Sequence, residues 1–269
     1  MILIADSGST KTDWRLIGKD SIEIFKCDGL NPKILSVKKI ESILLSLKIP
    51  FDQVNQLFFF GAGCSTKVSQ EKIHKLLRSI FVNANVKVQS DLMGAAISLF
   101  GKDSGMAGIL GTGSNLAFFD GSQLHQKTKS LGYLLGDQGG GCYMGKLFLQ
   151  EYLNGDLDSK ILNNFKFSSE EIIENLYSSS NPNRYMASFC PFLFRNRSHP
   201  QISKLICRNF EDWFELHHQK YELSNLSVVG SIAYYFKPEL IHVASRYDCK
   251  IDKVLENPIA SLALHYKIE

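Results

Sequence analysis

Apolar and polar positions in the first part of the chain follow two spacings, one typical of strands and one typical of helices. Three short segments with strand spacing come first, and a polar turn at residues 18–20 separates the last two. From Ile34 to Leu47, apolar residues recur every three or four positions with charged residues between them, which predicts a helix. The predicted elements are strands at 1–6, 12–18 and 21–27, a helix at 34–47, a strand at 57–61, a helix at 69–81, a strand at 86–90 and a helix at 92–100.

The same order of elements begins again at Ala107, so the pattern predicts a duplicated α/β fold. A helical segment follows, and then a clear strand at Leu226–Gly230. Residues 101–105 are small or charged and suit a hinge, so we place an N-terminal lobe at 1–102 and a C-terminal lobe with a helical insertion at 103–269. The repeated strands are predicted at 107–111, 115–119 and 123–128.

Composition agrees with a globular protein and argues against nucleic acid or a membrane as the partner. The 269 residues are 44% hydrophobic and 21% charged, with a net charge of +3 and no basic block, so we expect no nucleic-acid binding. No apolar run is long enough to span a membrane, and the first residues do not resemble a signal peptide. The scattered cysteines form no CxxC pair, so we expect reduced thiols in a cytoplasmic protein rather than a zinc or iron–sulfur site.

Two glycine-containing turns carry the clearest chemical signal. The first follows the opening strand at residues 6–12, and the second lies at residues 111–115, at the same place in each half. Glycine lets the backbone approach a ligand, and exposed N–H groups with Ser or Thr hydroxyls can cradle phosphate oxygens. Two such cradles in two halves of one chain indicate a nucleotide held in a cleft between lobes.

Asp6 sits at the end of a buried strand, where a carboxylate is unfavourable unless it has a partner. Beside phosphate-binding N–H groups, that partner is expected to be Mg²⁺, reached through water. Lys11 could add a point charge near the phosphates. The alternative is a hairpin turn in which Asp6 caps its own backbone.

Asp91 follows the strand at 86–90 and begins a helix that is rich in small residues. Phosphoryl transfer needs a carboxylate that orients the attacking hydroxyl and accepts its proton, and a strand-end aspartate can do this. The alternative role is a plain helix N-cap.

Asp137 lies in the glycine-rich loop 136–141, and its two interpretations are a ligand-binding residue and a cap for the helix near Cys142. His217 and His218 lie in a polar helix and are interpreted as solvated surface rather than a metal site.

These motifs together resemble the sugar kinase/Hsp70/actin superfamily and, more closely, the BadF/BadG/BcrA/BcrD ATPase family in its N-acetylglucosamine kinase-like branch. The similarity covers nearly the whole chain and implies an α/β fold with two ribonuclease H-like (actin-like ATPase) βββαβαβα domains around an interdomain cleft. The segments that carry it are Asp6–Thr10, Asp28–Pro32, Gly61–Cys64, Ser90–Ala96, Gly111–Asn115, Leu135–Gly139 and Val229–Ala233.

The resemblance implies an ATP-dependent kinase that uses Mg²⁺ and phosphorylates the 6-hydroxyl of an amino sugar such as N-acetylglucosamine or glucosamine. Asp6 would be the carboxylate on the magnesium side, and Asp91 the catalytic base. The nucleotide would be held by two phosphate loops and an adenosine turn, namely Gly8, Ser9, Thr10 and Lys11, then Gly111, Thr112 and Gly113, then Gly230 and Ser231. The sugar would be held by Asn31, Ser114, Asn115 and Asp137.

The chain departs from the family at two positions of the glycine-rich loop. It has Gln138 where the family usually has Glu, and Gly140 where the family usually has Ser, so the sugar is left open. An ATPase that activates a dehydratase and a catalytically weak sugar sensor remain alternatives. Residues 183–184 and 195–197 could contact substrate or a second subunit, which leaves a homodimer open.

Overall fold

The computed structural model describes residues 1–163 and 165–268. The strands are β1 Ile2–Ser7, β2 Lys11–Ile17, β3 Ile22–Asp28, β4 Gln56–Gly61, β5 Asn85–Ser90, β6 Gly105–Leu110, β7 Ser114–Phe119, β8 Leu124–His125, β9 Asn225–Val229 and β10 Lys250–Leu255. The helices are α1 Val37–Leu45, α2 Lys67–Ile80, α3 Asp91–Phe100, α4 Gly132–Leu135, α5 Gly141–Leu153, α6 Ser159–Leu162, α7 Ser169–Ser178, α8 Pro182–Ala187, α9 Cys190–Arg195, α10 Pro200–Tyr221, α11 Ser231–Tyr235, α12 Lys237–Ser245 and α13 Ile259–Ile268, with a short 3₁₀ turn at Phe51–Gln53.

The first sheet has the strand order β3-β2-β1-β4-β5, in which β1, β4 and β5 run parallel and β2 runs antiparallel to both of its neighbours, β1 and β3. This is the predicted βββαβαβα order. The helices begin where hydroxyl residues cap them: the side chains of Ser36, Thr66 and Ser90 accept backbone N–H groups at the starts of α1, α2 and α3.

Helices cover both faces of the first sheet because its strands carry apolar residues on both sides. On one face, Leu3 and Ala5 of β1 pack with apolar residues of α1 and α2. On the other face, Ile4 packs with Phe58 and Phe60 of β4 and with apolar residues of α13. The strand β1 is therefore held from both sides up to Asp6.

The second sheet has the order β10-β9-β6-β7-β8, which matches the first sheet strand for strand. The predicted strand at 123–128 shortens to β8, because the N–H groups of Lys127 and Thr128 donate to the hydroxyl of Tyr221 at 2.7 and 3.1 Å instead of to a neighbouring strand. The edge strand β10 was not predicted from the sequence. It is mostly exposed or half-buried and has an irregular register against β9, so it lacks a clean apolar alternation.

The chain forms two compact units, and the residues that belong to each unit differ from those of the predicted lobes. The first unit contains residues 1–104, 119–124 and 257–269, and the second contains residues 105–118 and 125–256. The prediction placed 103–269 in one lobe, whereas α13 packs with the first unit. The reason is that Ile259, Leu262 and Ala263 complete the core beneath β1 and β4.

The second unit has a large apolar core to which α5, α9, α10 and α12 contribute. His217 of α10 is only 5% exposed, which corrects its interpretation as solvated surface. Its Nδ1 lies 3.2 Å from the hydroxyl of Thr128, and burial lowers its pKa to about 4. None of the helices in the described residues is both long and apolar enough to cross a membrane.

Candidate active site

The carboxyl ends of the parallel strands bring the predicted residues of the first unit to one edge of its sheet. Ser7 is in register with Gly61, and Gly61 is in register with Ser90. The residues that follow these strand ends therefore emerge side by side. In α/β sheets this edge is where ligands bind.

The first predicted phosphate loop is the tip of a tight hairpin. The N–H of Gly8 donates to the carbonyl of Lys11 at 2.9 Å, which leaves Ser9 and Thr10 at the tip. The hydroxyls of Ser7 and Thr12 lie 2.9 Å apart at its base. The hairpin alternative is thus correct for the backbone, and the Gly8 N–H is already used within the turn.

Gly29 holds this tip in place from the side. Its N–H donates to the carbonyl of Thr10 at 3.2 Å, and a Cβ at Gly29 would lie 2.4 Å from the carbonyl oxygen of Gly8. Only glycine permits such a close approach. The segment after β3 therefore sets the position of the first loop.

Asp6 lies opposite a second carboxylate that the sequence analysis missed. Asp13 is the cross-strand partner of Asp6 and is 4% exposed. Lys11 and Lys26 neutralise Asp13, with Nζ–carboxylate distances of 3.2 and 3.9 Å. A hairpin with a two-residue turn requires this pairing of positions 6 and 13, so the signal was present in the sequence.

The carboxyl group of Asp6 is poor in positive charge. Burial, then Asp91 and Asp13, raise its pKa to about 7, and Lys11 opposes this only in part. Lys11 itself is held by Asp13 and donates to the Asn257 side chain at 2.8 Å. The structure thus brings Asp6, Lys11 and Asp91 together, and a divalent cation beside Asp6 would supply the missing charge.

This arrangement fits Mg²⁺, because that ion usually takes one or two carboxylates and keeps several waters. Among the residues that the structure describes, no set of three His, Cys, Asp or Glu side chains is placed to hold a metal ion. A magnesium ion that is bound through one carboxylate, water and the phosphates of a nucleotide needs no such set.

Asp91 is the first residue of α3 and not its N-cap. Ser90 is the cap, since its side chain accepts the N–H of Met93 at 3.3 Å. One oxygen of Asp91 accepts the N–H of Leu92 at 2.9 Å, which orients the half-buried carboxylate. The alternative role of a plain cap therefore belongs to the preceding residue.

Asn31 and Cys64 lie at the same edge of the sheet. Asn31 is buried, its Oδ1 accepts the N–H of Lys33 at 2.9 Å, and a Cβ at Gly63 would lie 2.1 Å from that oxygen. Burial and then Asp91 raise the pKa of the Cys64 thiol to about 12, so this cysteine is a neutral neighbour of Asp91 and not a nucleophile.

In the second unit, the predicted phosphate loop at residues 111–113 is hydrogen-bonded to the start of α5. The N–H groups of Gly141 and Cys142 donate to the carbonyls of Gly111 and Thr112, each at 2.8 Å. In a trans peptide, C=O and N–H point in opposite directions. Holding these two carbonyls against α5 therefore turns the N–H groups of Thr112 and Gly113 away from the helix.

Asp137 lies directly against this loop. It has a φ of 62°, its Oδ2 would lie 2.7 Å from a Cβ at Gly113, and its Oδ1 accepts the N–H of Ser114 at 3.5 Å. Burial raises the pKa of Asp137, and Lys146 lowers it in part. The N-cap of α5 is Gly140, so Asp137 does not cap that helix. Lys146, on α5, is a second residue that sequence reasoning missed.

The remaining predicted residues occupy different positions in the second unit. Gly230 has a φ of 130°, and its missing Cβ would lie 2.3 Å from the carbonyl of Leu110, so the predicted adenosine turn lies beside the phosphate loop. Ser231 is exposed at the start of α11. The Oδ1 of Asn115 accepts the N–H of Leu116 and the amide of Gln126, both at 2.9 Å, so this oxygen is engaged within the protein.

Comparison with solved structures identifies the family. The crystal structure of the "Putative N-acetylglucosamine Kinase" from Porphyromonas gingivalis is 32% identical, with a TM-score of 0.93 over 100% of this chain and 99% of that one. The chain therefore belongs to this family of sugar kinases with the actin-like ATPase fold. A scan of protein-family models finds no match, and a search of curated proteins finds none.

Two more distant structures share the fold. The "Putative N-acetylglucosamine Kinase" from Chromobacterium violaceum is 14% identical, with a TM-score of 0.74 over 98% of both chains. A ROK family glucokinase from Streptomyces griseus, solved with glucose and AMPPNP, is 14% identical, with a TM-score of 0.58 over 99% of this chain and 98% of that one.

Proposed function

We propose that this protein is an ATP-dependent kinase that transfers a phosphoryl group to the 6-hydroxyl of an amino sugar, N-acetylglucosamine or glucosamine. The observation that carries the proposal is the whole-length similarity to the Porphyromonas gingivalis protein. Asp91 lies at the carboxyl edge of the first sheet and contributes to the raised pKa of Asp6, and this pair of carboxyl groups adds chemical support.

In this reaction Asp91 would accept the proton of the attacking sugar hydroxyl, because its carboxylate stands at the start of a helix and is oriented by the Leu92 N–H. Asn31 and Asp137 would orient the sugar hydroxyls. Ser114 would contribute through its hydroxyl and Asn115 through its Nδ2, polar groups for which the described residues show no hydrogen bond.

The phosphates of ATP would contact the backbone of Ser9 and Thr10 in the first unit and of Thr112 and Gly113 in the second. Asp6 would hold Mg²⁺ through water, and the ion would neutralise charge on the transferred group. Lys11 would act mainly by keeping Asp13 neutralised and only secondarily on the phosphates, since it is bound to Asp13 at 3.2 Å.

The test is release of ADP from Mg-ATP with glucosamine, N-acetylglucosamine, N-acetylmannosamine, N-acetylmuramic acid, glucose or no sugar. One amino sugar should stimulate release strongly, and Asp91→Asn should lower kcat on the order of 10³-fold while ATP binding persists. Equal release with every sugar would point to an ATPase activator, and sugar binding without ADP release to a sensor. Near-normal turnover of Asp91→Asn would remove Asp91 from the mechanism.

A further inference from the structure

One face of α10 carries a polar and aromatic stripe that is buried in the second unit. Its members are four residues apart and therefore lie above one another on the helix. All of them are less than one-tenth exposed: Asn209, Trp213, His217 and Tyr221. His217 and Tyr221 bind Thr128, whereas Asn209 and Trp213 meet the glycine-rich loop that carries Asp137.

The contact with the loop is made at Gly139. Its N–H donates to the Oδ1 of Asn209 at 3.1 Å, and both residues are buried. Gly139 has a φ of 80°, and a Cβ there would lie 2.8 Å from the indole ring of Trp213. The helix thus provides a fitted floor for this residue, with one hydrogen bond at its centre.

Asn209 makes one buried hydrogen bond but leaves its other polar atom unpaired. The Nδ2 of Asn209, the Nε1 of Trp213 and the Oε1 of Gln138 are buried and make no hydrogen bond within the described residues. The unpaired amide disfavours folding, and an apolar residue of similar size would remove that cost but leave the buried Gly139 N–H without an acceptor. The bond from Gly139 to Oδ1 is therefore the property that distinguishes asparagine here.

We propose that Asn209 is a positioning residue for the sugar-binding carboxylate. It fixes Gly139, two residues after Asp137, and Gly140 follows with no room for a Cβ, which would lie 2.8 Å from the Gly113 backbone. The loop is thus held at both residues, and the Asp137 carboxylate stays against Gly113 and Ser114. This inference rests on the proposed function and extends it to a residue that does not touch substrate.

The test compares Asn209→Leu with the wild type and with Ile206→Val, a mild variant of a fully buried core residue one turn earlier on α10. We expect Asn209→Leu to raise the sugar KM about tenfold, which corresponds to the loss of one positioning hydrogen bond. The ATP KM should stay within about twofold of the wild-type value. Ile206→Val should leave both constants unchanged. Hydrogen exchange should become faster in the peptide that contains Gly139 and stay the same in β6 and β9.

A second variant protects the test from a folding failure. Asn209→Asp keeps an acceptor oxygen for the Gly139 N–H, and burial should hold the acid in its neutral form, so its sugar KM should lie closer to the wild-type value than that of Asn209→Leu. Equal losses in the ATP and sugar constants, or an unchanged sugar KM in Asn209→Leu, would overturn the positioning role. A wild-type protein that releases no ADP with any sugar would instead reject the proposed function, and the exchange of Gly139 would still test the contact.

Discussion

At the scale of single residues, the site depends on neighbours that lie far away in the sequence or on the opposite strand. Asp6 was predicted as a metal carboxylate from its place at a strand end, but its pKa of about 7 also reflects Asp13 and Asp91. A carboxylate with so little compensating charge favours a cation over further negative groups. We therefore predict that the protein binds Mg-ATP more tightly than free ATP.

His217 gives a prediction about pH and stability. Burial, and then Lys220, lower its native pKa from 6.5 to about 4. Between these values the unfolded chain binds a proton that the native protein does not, so stability is lost as pH falls from above 6.5 towards 4. The full loss from this residue is about 3 kcal/mol. His217→Gln should reduce the difference between the free energies of unfolding at pH 7 and pH 5, as measured by urea denaturation.

The comparison with the wild type is essential, because Asp6 titrates in the opposite sense: its raised native pKa increases stability as pH falls. The neighbouring His218→Gln serves as a control for the loss of a histidine on the same helix. If His217→Gln showed the same pH dependence as the wild type, the buried neutral imidazole would not be the source.

At the scale of secondary-structure elements, two loops are held by their own backbones and leave room for a ligand. Among the described residues, a Cβ at Gly111 would meet no atom within 4 Å, and one at Gly8 would meet only the Lys11 carbonyl at 3.6 Å. Gly111→Ala should therefore fold normally but raise the ATP KM about tenfold, because the methyl group would occupy space needed by phosphate oxygens. Steady-state kinetics and thermal unfolding would measure both effects.

Gly29→Ala is the matched contrast for this prediction. A Cβ there would lie 2.4 Å from the Gly8 carbonyl oxygen, so the first loop or the segment after β3 must shift. We expect a lower melting temperature as well as weaker ATP binding. An unchanged ATP KM in Gly111→Ala, with normal folding, would show that this glycine does not approach the nucleotide.

The order of the elements could be predicted because the apolar spacing in the first unit is regular and α1, α2 and α3 each start at a hydroxyl cap. The failures have local causes. The strand predicted at 123–128 ended early because the Tyr221 hydroxyl, distant in sequence, takes the N–H groups of Lys127 and Thr128. The edge strand β10 carries charged residues and an irregular register, and such a segment has no alternation to detect.

The site could be predicted where chemistry follows a strand end or lies in a glycine-rich loop. Asp6, Asp91 and the two glycine turns have that signal, and their roles remain predictions. Lys146 and Asn209 contribute through helix faces that reach the Asp137 loop from elsewhere, and only the packing of α5 and α10 reveals them. Local sequence carries no information about which helix faces that loop.

At the scale of the whole molecule, the duplication of the sheet does not extend to the position of the last helix, α13. Both sheets follow the same strand order, and α13 follows β10 as α3 follows β5. Yet α13 belongs to the first unit, where Tyr266 stacks on Phe58 with ring centroids 3.9 Å apart. Ile259, Leu262 and Ala263 of α13 therefore complete the core under β1, the strand that carries Asp6.

This assignment predicts that α13 supports the first unit. Leu262 is fully buried, so Leu262→Ala should reduce the free energy of unfolding by about 2–5 kcal/mol. Leu264 lies on the same helix and is 59% exposed, so Leu264→Ala should be nearly neutral and provides the control. Hydrogen exchange in Leu262→Ala should become faster in β1 and β4 before it changes in β6 and β9. A helix that completes one core stabilises the strands it covers. Faster exchange confined to the second sheet would therefore show that the assignment of α13 to the first unit is wrong.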